Sequence, residues 1–207
     1  MQFTNHHSDV LLDLLRWRRD VRHFRRDPVD PRQLTRLEHA MELAPSVGNS
    51  RPWRVVCVES EEARRRIIES HEAANRAAAD QYEPERRRAY VSLKLAGLRE
   101  APLHLAVFTD VNPEAGHGLG RRTMPETLIY STVIAVHTLW LVARSMNLGV
   151  GWVSILDPAD VHRCLEIDPS WHLTAYLCVG HPVLDDDTSE LERRTWQAKT
   201  KTPWLVR

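Results

Sequence analysis

Apolar residues recur at helical spacing in DVLLDLLRWRRD, residues 9–20, where Val10, Leu11, Leu14 and Leu15 share one face. A first helix is expected there, capped by Ser8 and delivering RRDVR at its C-terminal end. Asp30 and Pro31 open a second helix, PRQLTRLEHAMELA, which Pro45 closes. RVVCVE (54–59) is rich in β-branched residues and predicts a strand. Ser60 then caps a polar helix running from Glu61 towards Gln81, and Pro84 starts another, PERRRAYVSLKLAGLRE, ending near Pro102. LHLAVFT (103–109), VGWVSI (150–155) and LTAYLCVG (173–180) read as three further strands, with DPADVHRCLEI a short helix capped by Asp157 between the last two.

The most apolar segment is ETLIYSTVIAVHTLWLVARSMNLG, a helix with Gly149 placed as its left-handed stop. Its unbroken apolar part, Val133 to Val142, contains His137 and Thr138 and falls short of the roughly 20 residues of a bilayer span. It is expected to be buried on nearly all sides, at the centre of a domain or in a dimer interface. Four strands interleaved with six helices imply an α+β or α/β layered domain with one central sheet, covering residues 1–207 without a linker or repeat. The tail from Pro182 to Arg207 has no clear period. Carrying Trp196 and Trp204, it either packs on a neighbouring subunit or stays disordered.

Charge narrows the functions. Lys and Arg number 28, as do Asp and Glu, so no global basic field draws the chain to nucleic acid or an anionic membrane, and any anion site must be local. Cys57, Cys164 and Cys178 lie far apart without CxxC spacing, which fits a reducing compartment. The N-terminus has no apolar signal segment, so a cytoplasmic protein is expected. The 11 histidines form no HExxH pair and no Cys/His quartet, and no metal is expected.

Two stretches carry candidate chemistry. RRDVRHF, residues 18–24, sets Arg18, Arg19, Arg22 and His23 around Asp20, either as a helix end complementing its dipole or as an anion site. APSVGNSRPW, residues 44–53, is dense in small and polar residues that expose backbone N–H groups. Such a turn can rim a heteroaromatic ring or a phosphate, or simply carry Trp53 into the core. GHGLG (116–120) lacks the spacing of a dinucleotide fingerprint, and no P-loop is present.

RRDVR, PSVGNSRPW, SLKLAGLREAPL, LGRRTMPET, YSTVIAVHTLWLVAR, LGVGWVSI and AYLCVG together resemble the nitroreductase family, in that family's order, from about Leu14 to Gly180. Asp20, where nitroreductases usually carry Ser, together with GWVSI, is similar to the narrower branch that makes 5,6-dimethylbenzimidazole, the lower ligand of vitamin B12. The resemblance implies an α+β nitroreductase-like fold with a central mixed sheet flanked by helices, and a homodimer built around the long apolar helix with flavin mononucleotide (FMN) at the interface. It implies that Arg18, Arg19, Val21 and Arg22 bind the phosphate and ribityl end. Ser46, Gly48, Asn49 and Ser50 then come from the second subunit, and Ser92, Gly151, Trp152 and Val153 complete the flavin site.

The implied reaction fragments reduced FMN with dioxygen to 5,6-dimethylbenzimidazole and erythrose 4-phosphate, with Asp20 as base and Ser154 as hydrogen-bond donor. Read without the resemblance, Ser154 is a strand serine bonded to neighbouring backbone. The reduced flavin could come from a separate reductase. An NAD(P)H-dependent nitro- or quinone reductase that keeps its FMN is the alternative, and a flavin-binding protein without turnover is a third reading. Arg51, Ala96, Met124 and Leu128 depart from the residues usual in this branch.

Overall fold

The computed structural model describes residues 1–207. Seven helices, α1 (Asn5–Trp17), α2 (Pro31–Glu42), α3 (Glu61–Ala79), α4 (Pro84–Val91), α5 (Thr127–Ser145), α6 (Pro158–Leu165) and α7 (Glu190–Arg193), surround four strands. The strands are β1 (Trp53–Cys57), β2 (Leu103–Asp110), β3 (Gly149–Val153) and β4 (Trp171–Gly180), in the spatial order β1-β2-β4-β3. All three strand pairings are antiparallel. The parallel component of the sheet is confined to an isolated bridge between Asp20 and Val150.

Alternation along the strands builds two cores. Leu105 and Val107 of β2 and Ala175, Leu177 and Val179 of β4 face one side, packing with Leu37 and Met41 of α2 and Ala135, Leu139 and Ala143 of α5. Ala106, Phe108, Tyr176 and Cys178 face the other, under Ala63 and Ile67 of α3 and Val161 of α6. The result is a helix–sheet–helix sandwich.

Several boundaries differ from the sequence expectation, each for a local reason. Helix α1 starts after Thr4, which closes a capping box with His7, so Ser8 lies inside the helix. It stops at Trp17 because Arg18 is already extended (ψ 104°), so RRDVR follows the helix instead of forming its last turn. Helix α4 ends at Val91, and residues 92–102 run on without helix or strand. The left-handed stop after α5 is Asn147 (φ 58°), leaving Gly149 to open β3.

At 19 residues α5 is long and apolar enough by length and composition to cross a bilayer, yet Leu128, Ala135, Val136, Leu139 and Trp140 are buried in the sandwich. Its burial is incomplete. Tyr130, Val133, Ile134 and His137, at i, i+3, i+4 and i+7, form an exposed stripe along one face.

The tail residues 181–197 fold back on their own chain. Arg144 makes a two-pronged contact with Asp185 (2.8 Å to each oxygen), and Trp196 packs against Tyr82 and Tyr90 under Arg86. Trp204, Leu205 and Val206 stay exposed.

A buried pair at the centre of the sheet sets an acid limit on stability. His104 is fully buried with Nδ1 3.0 Å from the Tyr176 hydroxyl, and burial pulls its pKa from 6.5 down to about 4. The folded-state value is depressed, so the unfolded chain binds the extra proton first and stability falls as pH drops from about 6.5 towards 4. We expect His104 to cost about 2 kcal/mol of stability between pH 7 and pH 5. Urea unfolding at the two pH values, compared with His104→Gln, isolates this share. An equal pH dependence in the variant would refute it.

Candidate active site

Residues 18–24 cross the end of β3 as an extended strap. The Val21 amide donates to the Val150 carbonyl (3.0 Å), and a Cβ at Gly151 would meet Val21 O at 2.2 Å, so only glycine lets the two backbones approach. Phe24, 4% exposed, anchors the far end of the strap in the core. Gly151 and Val153 are both buried, so the backbone contact and the core account for them on the single chain, while Trp152 is partly exposed.

The strap fixes Asp20. Oδ1 accepts from the Trp152 backbone N–H at 2.9 Å, and Oδ2 accepts from Arg22 Nε at 2.8 Å. About two of four acceptor positions are thus used. The side chain remains one-third exposed, so a ligand can still reach it. Two residues beyond Trp152, Ser154 sits just past the end of β3, exposed and without a side-chain partner in the chain. The backbone-bonded alternative for this serine is therefore not what the fold builds.

The three arginines do different jobs. Arg22 is nearly buried and also donates to the Lys94 carbonyl (3.2 Å). Arg19 spends its guanidinium on backbone carbonyls of Leu15, Arg16 and Asp187, tying α1 to the tail. Arg18 stacks over Trp140 of α5 (4.8 Å), and its buried Nε has no partner. Burial, and then the charge of Arg19, hold its pKa below the usual arginine value. A buried guanidinium nitrogen without an acceptor is costly to leave in that state, and an anion would relieve it.

The pocket that Arg18 lines with Asp20 and Arg22 is also lined by residues that no sequence pattern singles out as site residues: Trp140, Arg144, Arg193 and the tail acids Asp185, Asp186 and Glu190. Asp186 pairs with Arg193 (3.3 Å) and Glu190 with His23 (3.4 Å). The tail lacks any hydrophobic period, and its only sequence signal is its charge.

The turn at 46–50 does not join this pocket on the same chain. Gly48 (φ 58°) and Asn49 (φ 55°) are left-handed, the Ser46 hydroxyl accepts from Arg51 N (3.0 Å), and the Ser50 hydroxyl donates to Val47 O (2.8 Å). A Cβ at Gly48 would lie 3.1 Å from both Gly116 O and Leu119 O, so GHGLG is the surface on which this turn packs. Val47 N donates to the Ser131 hydroxyl on the N-terminal half of α5, nine residues and about 13 Å along the helix from Trp140. Ser92 is exposed and donates to its own helix at Ala89 O, apart from the arginine pocket. Arg51, a departure from the branch pattern, pairs with Glu42 (2.8 Å), beside the weak contact from Trp53 Nε1 (3.5 Å).

Comparison with known proteins agrees with the fold. A sequence model of the nitroreductase family matches residues 15–181. The chain is 52% identical over 204 residues to a 5,6-dimethylbenzimidazole synthase of Rhodobacter capsulatus, covering 99% of each protein. It is 52% identical over 199 residues to the synthase of the same name from Rhodospirillum rubrum, covering 96% of this chain and 94% of that one. Among solved structures, an iodotyrosine deiodinase bound to FMN and 3-iodo-L-tyrosine superposes with a TM-score of 0.74 at 22% identity, covering 95% of this chain and 97% of the other.

Proposed function

This chain belongs to the nitroreductase family, and from that premise we propose that it is a 5,6-dimethylbenzimidazole synthase: it fragments reduced FMN in the presence of dioxygen and releases erythrose 4-phosphate. The observation that carries the reading is Asp20, the carboxylate at the position that separates this branch from ordinary nitroreductases, held against β3 by Trp152 N and Arg22.

The residues present fit an FMN phosphate. Arg18 offers a charged, partnerless nitrogen in a pocket, and Arg193 stands on the same wall. Reduced FMN, when bound, supplies both the electrons for dioxygen and the carbon skeleton that is broken. Arg18 binds the anionic end. Asp20, fixed by two hydrogen bonds, takes a proton at an oxygen that still has a free acceptor site. Ser154 donates its unpaired hydroxyl from the turn after β3. Arg22 keeps the carboxylate oriented and is itself held by the Lys94 carbonyl.

The working unit in this reading is a homodimer. The 46–50 turn sits beside Ser131 and the arginine pocket beside Trp140, so one chain holds the two halves of the site at opposite ends of α5. Two α5 helices packed antiparallel through the stripe of Tyr130, Val133, Ile134 and His137 would set each turn near the partner's arginines. Burial, followed by the nearby Arg18 charge, lowers the His137 pKa, which favours a neutral imidazole in that interface. The exposed Trp204–Val206 tail then has a second subunit to pack on.

We expect Ile134→Glu to weaken dimerisation by about 2 kcal/mol or more, by burying an unpaired charge, and to weaken FMN binding with it. Light scattering across a concentration series and flavin titration would measure both. A dimer of unchanged affinity would rule out this interface.

The direct test of the reaction is to mix the protein with reduced FMN and oxygen and look for dimethylbenzimidazole by chromatography against a standard. Consumption of NADH in step with a nitroaromatic, with the flavin recovered intact, would instead establish a reductase.

A further inference from the structure

We infer that Ser70 and His71 of α3 are positioning residues for Ser154, so that the α3–α4 excursion sets the geometry of the reaction proposed above, on which this inference rests. Strand β3 ends at Val153, and α6 begins at Pro158, capped by the Asp157 side chain on Ala159 N (2.8 Å). Between them Ser154, Ile155 and Leu156 form no backbone–backbone hydrogen bond outside the regular elements.

Two bonds from neighbouring residues of α3 hold this linker. His71 Nδ1 lies 2.9 Å from the Ile155 carbonyl, which can only accept, so Nδ1 carries the proton. The Ser70 hydroxyl, 7% exposed, accepts from Asp157 N (3.3 Å) and donates to the Asp160 carboxylate (2.9 Å). A buried serine that satisfies one amide and one carboxylate has little freedom, and the carboxylate makes the second bond charge-assisted. Leu156 packs into the core beneath. Ile155 and Leu156 are partly buried, whereas Ser154 is exposed, on a backbone held from α3.

The same excursion reaches the other side of the site. Tyr90 of α4 donates to Asn75 of α3 (2.7 Å), and three residues past α4 the Lys94 carbonyl receives Arg22, the partner of Asp20. Asp20 and Ser154 are thus braced by one helical hairpin. Rigid placement matters because a displacement on the order of 1 Å can cost about a hundredfold in rate.

The test compares His71→Ala, Ser70→Ala, Ser154→Ala and the conservative His71→Asn, whose amide can still donate to the Ile155 carbonyl. With fold and thermal midpoint checked, dimethylbenzimidazole formation and recovered oxidised FMN are followed against reduced-FMN concentration. We expect His71→Ala and Ser70→Ala to lower kcat by about tenfold to a hundredfold with KM nearly unchanged, and to return more flavin unfragmented. His71→Asn should recover most of the rate. Wild-type kcat in both alanine variants, an equal change in KM, or no rescue by Asn overturns the positioning role while leaving the synthase reading in place. A wild-type protein that forms no dimethylbenzimidazole overturns that reading and this inference together.

Discussion

Asp20→Asn is expected to lower dimethylbenzimidazole formation by about a hundredfold or more while leaving most FMN affinity in place. Asp20 is the one carboxylate of the 18–24 strap and is fixed by two hydrogen bonds, and a positioned acid or base contributes about 10² to 10⁴ in rate. The amide is close in shape. Its oxygen can still accept from Trp152 N, but its NH2 would then face Arg22 Nε, donor against donor. Losing a hydrogen bond to a charged partner costs about 1.5–3 kcal/mol, so a modest drop in thermal midpoint should accompany the loss of rate.

Arg22 keeps its bond to the Lys94 carbonyl and Arg18 its stack on Trp140, so both arginines stay in place for the proposed anion. Product formation and equilibrium flavin titration on the same preparation separate the two effects. Unchanged turnover in a folded Asp20→Asn protein would remove this residue from the chemistry.

How much of this was legible in the sequence follows from which interactions are local. The strands, α2, α3 and α6 announced themselves through period and caps, because Asp30, Ser60 and Asp157 bond within two or three residues of their own positions. The limits of α1 and α4 did not. The chain leaves α1 at Arg18 to reach Val150, and leaves α4 at Ser92 to bring Lys94 to Arg22, both contacts between residues far apart in sequence.

The site shows the same division. Asp20, Arg18 and Ser154 could be singled out by residue type and family pattern. That Arg19 would be consumed by backbone carbonyls could not, since its most distant acceptor, the Asp187 carbonyl, lies 168 positions away. Arg144, Arg193 and the tail acids were invisible for a related reason. Ion pairs formed across the fold leave no periodic trace, and the helix that carries Arg193 is four residues long.

The second large effect concerns those arginines. Arg18→Met should weaken FMN binding by about 2–5 kcal/mol, a factor of about 30 or more in Kd, the usual penalty for truncating one side of a desolvated, hydrogen-bonded charge pair. Methionine keeps an apolar stem against Trp140 and removes the charge together with the partnerless Nε, so the loss reports on the anion and little on packing. Riboflavin supplies the internal control because it lacks the phosphate: the wild-type preference for FMN over riboflavin should nearly vanish in the variant.

Arg19→Met should behave the other way, since its guanidinium is bonded to Leu15, Arg16 and Asp187. Its loss frees the tail from α1 and should lower stability while largely preserving the preference for FMN. The charge count alone makes the two arginines equivalent, whereas their hydrogen bonds differ: Arg18 Nε is buried without a partner and Arg19 is bonded to backbone carbonyls. An Arg18→Met protein that still discriminates the two flavins as the wild type does would move the phosphate away from this pocket.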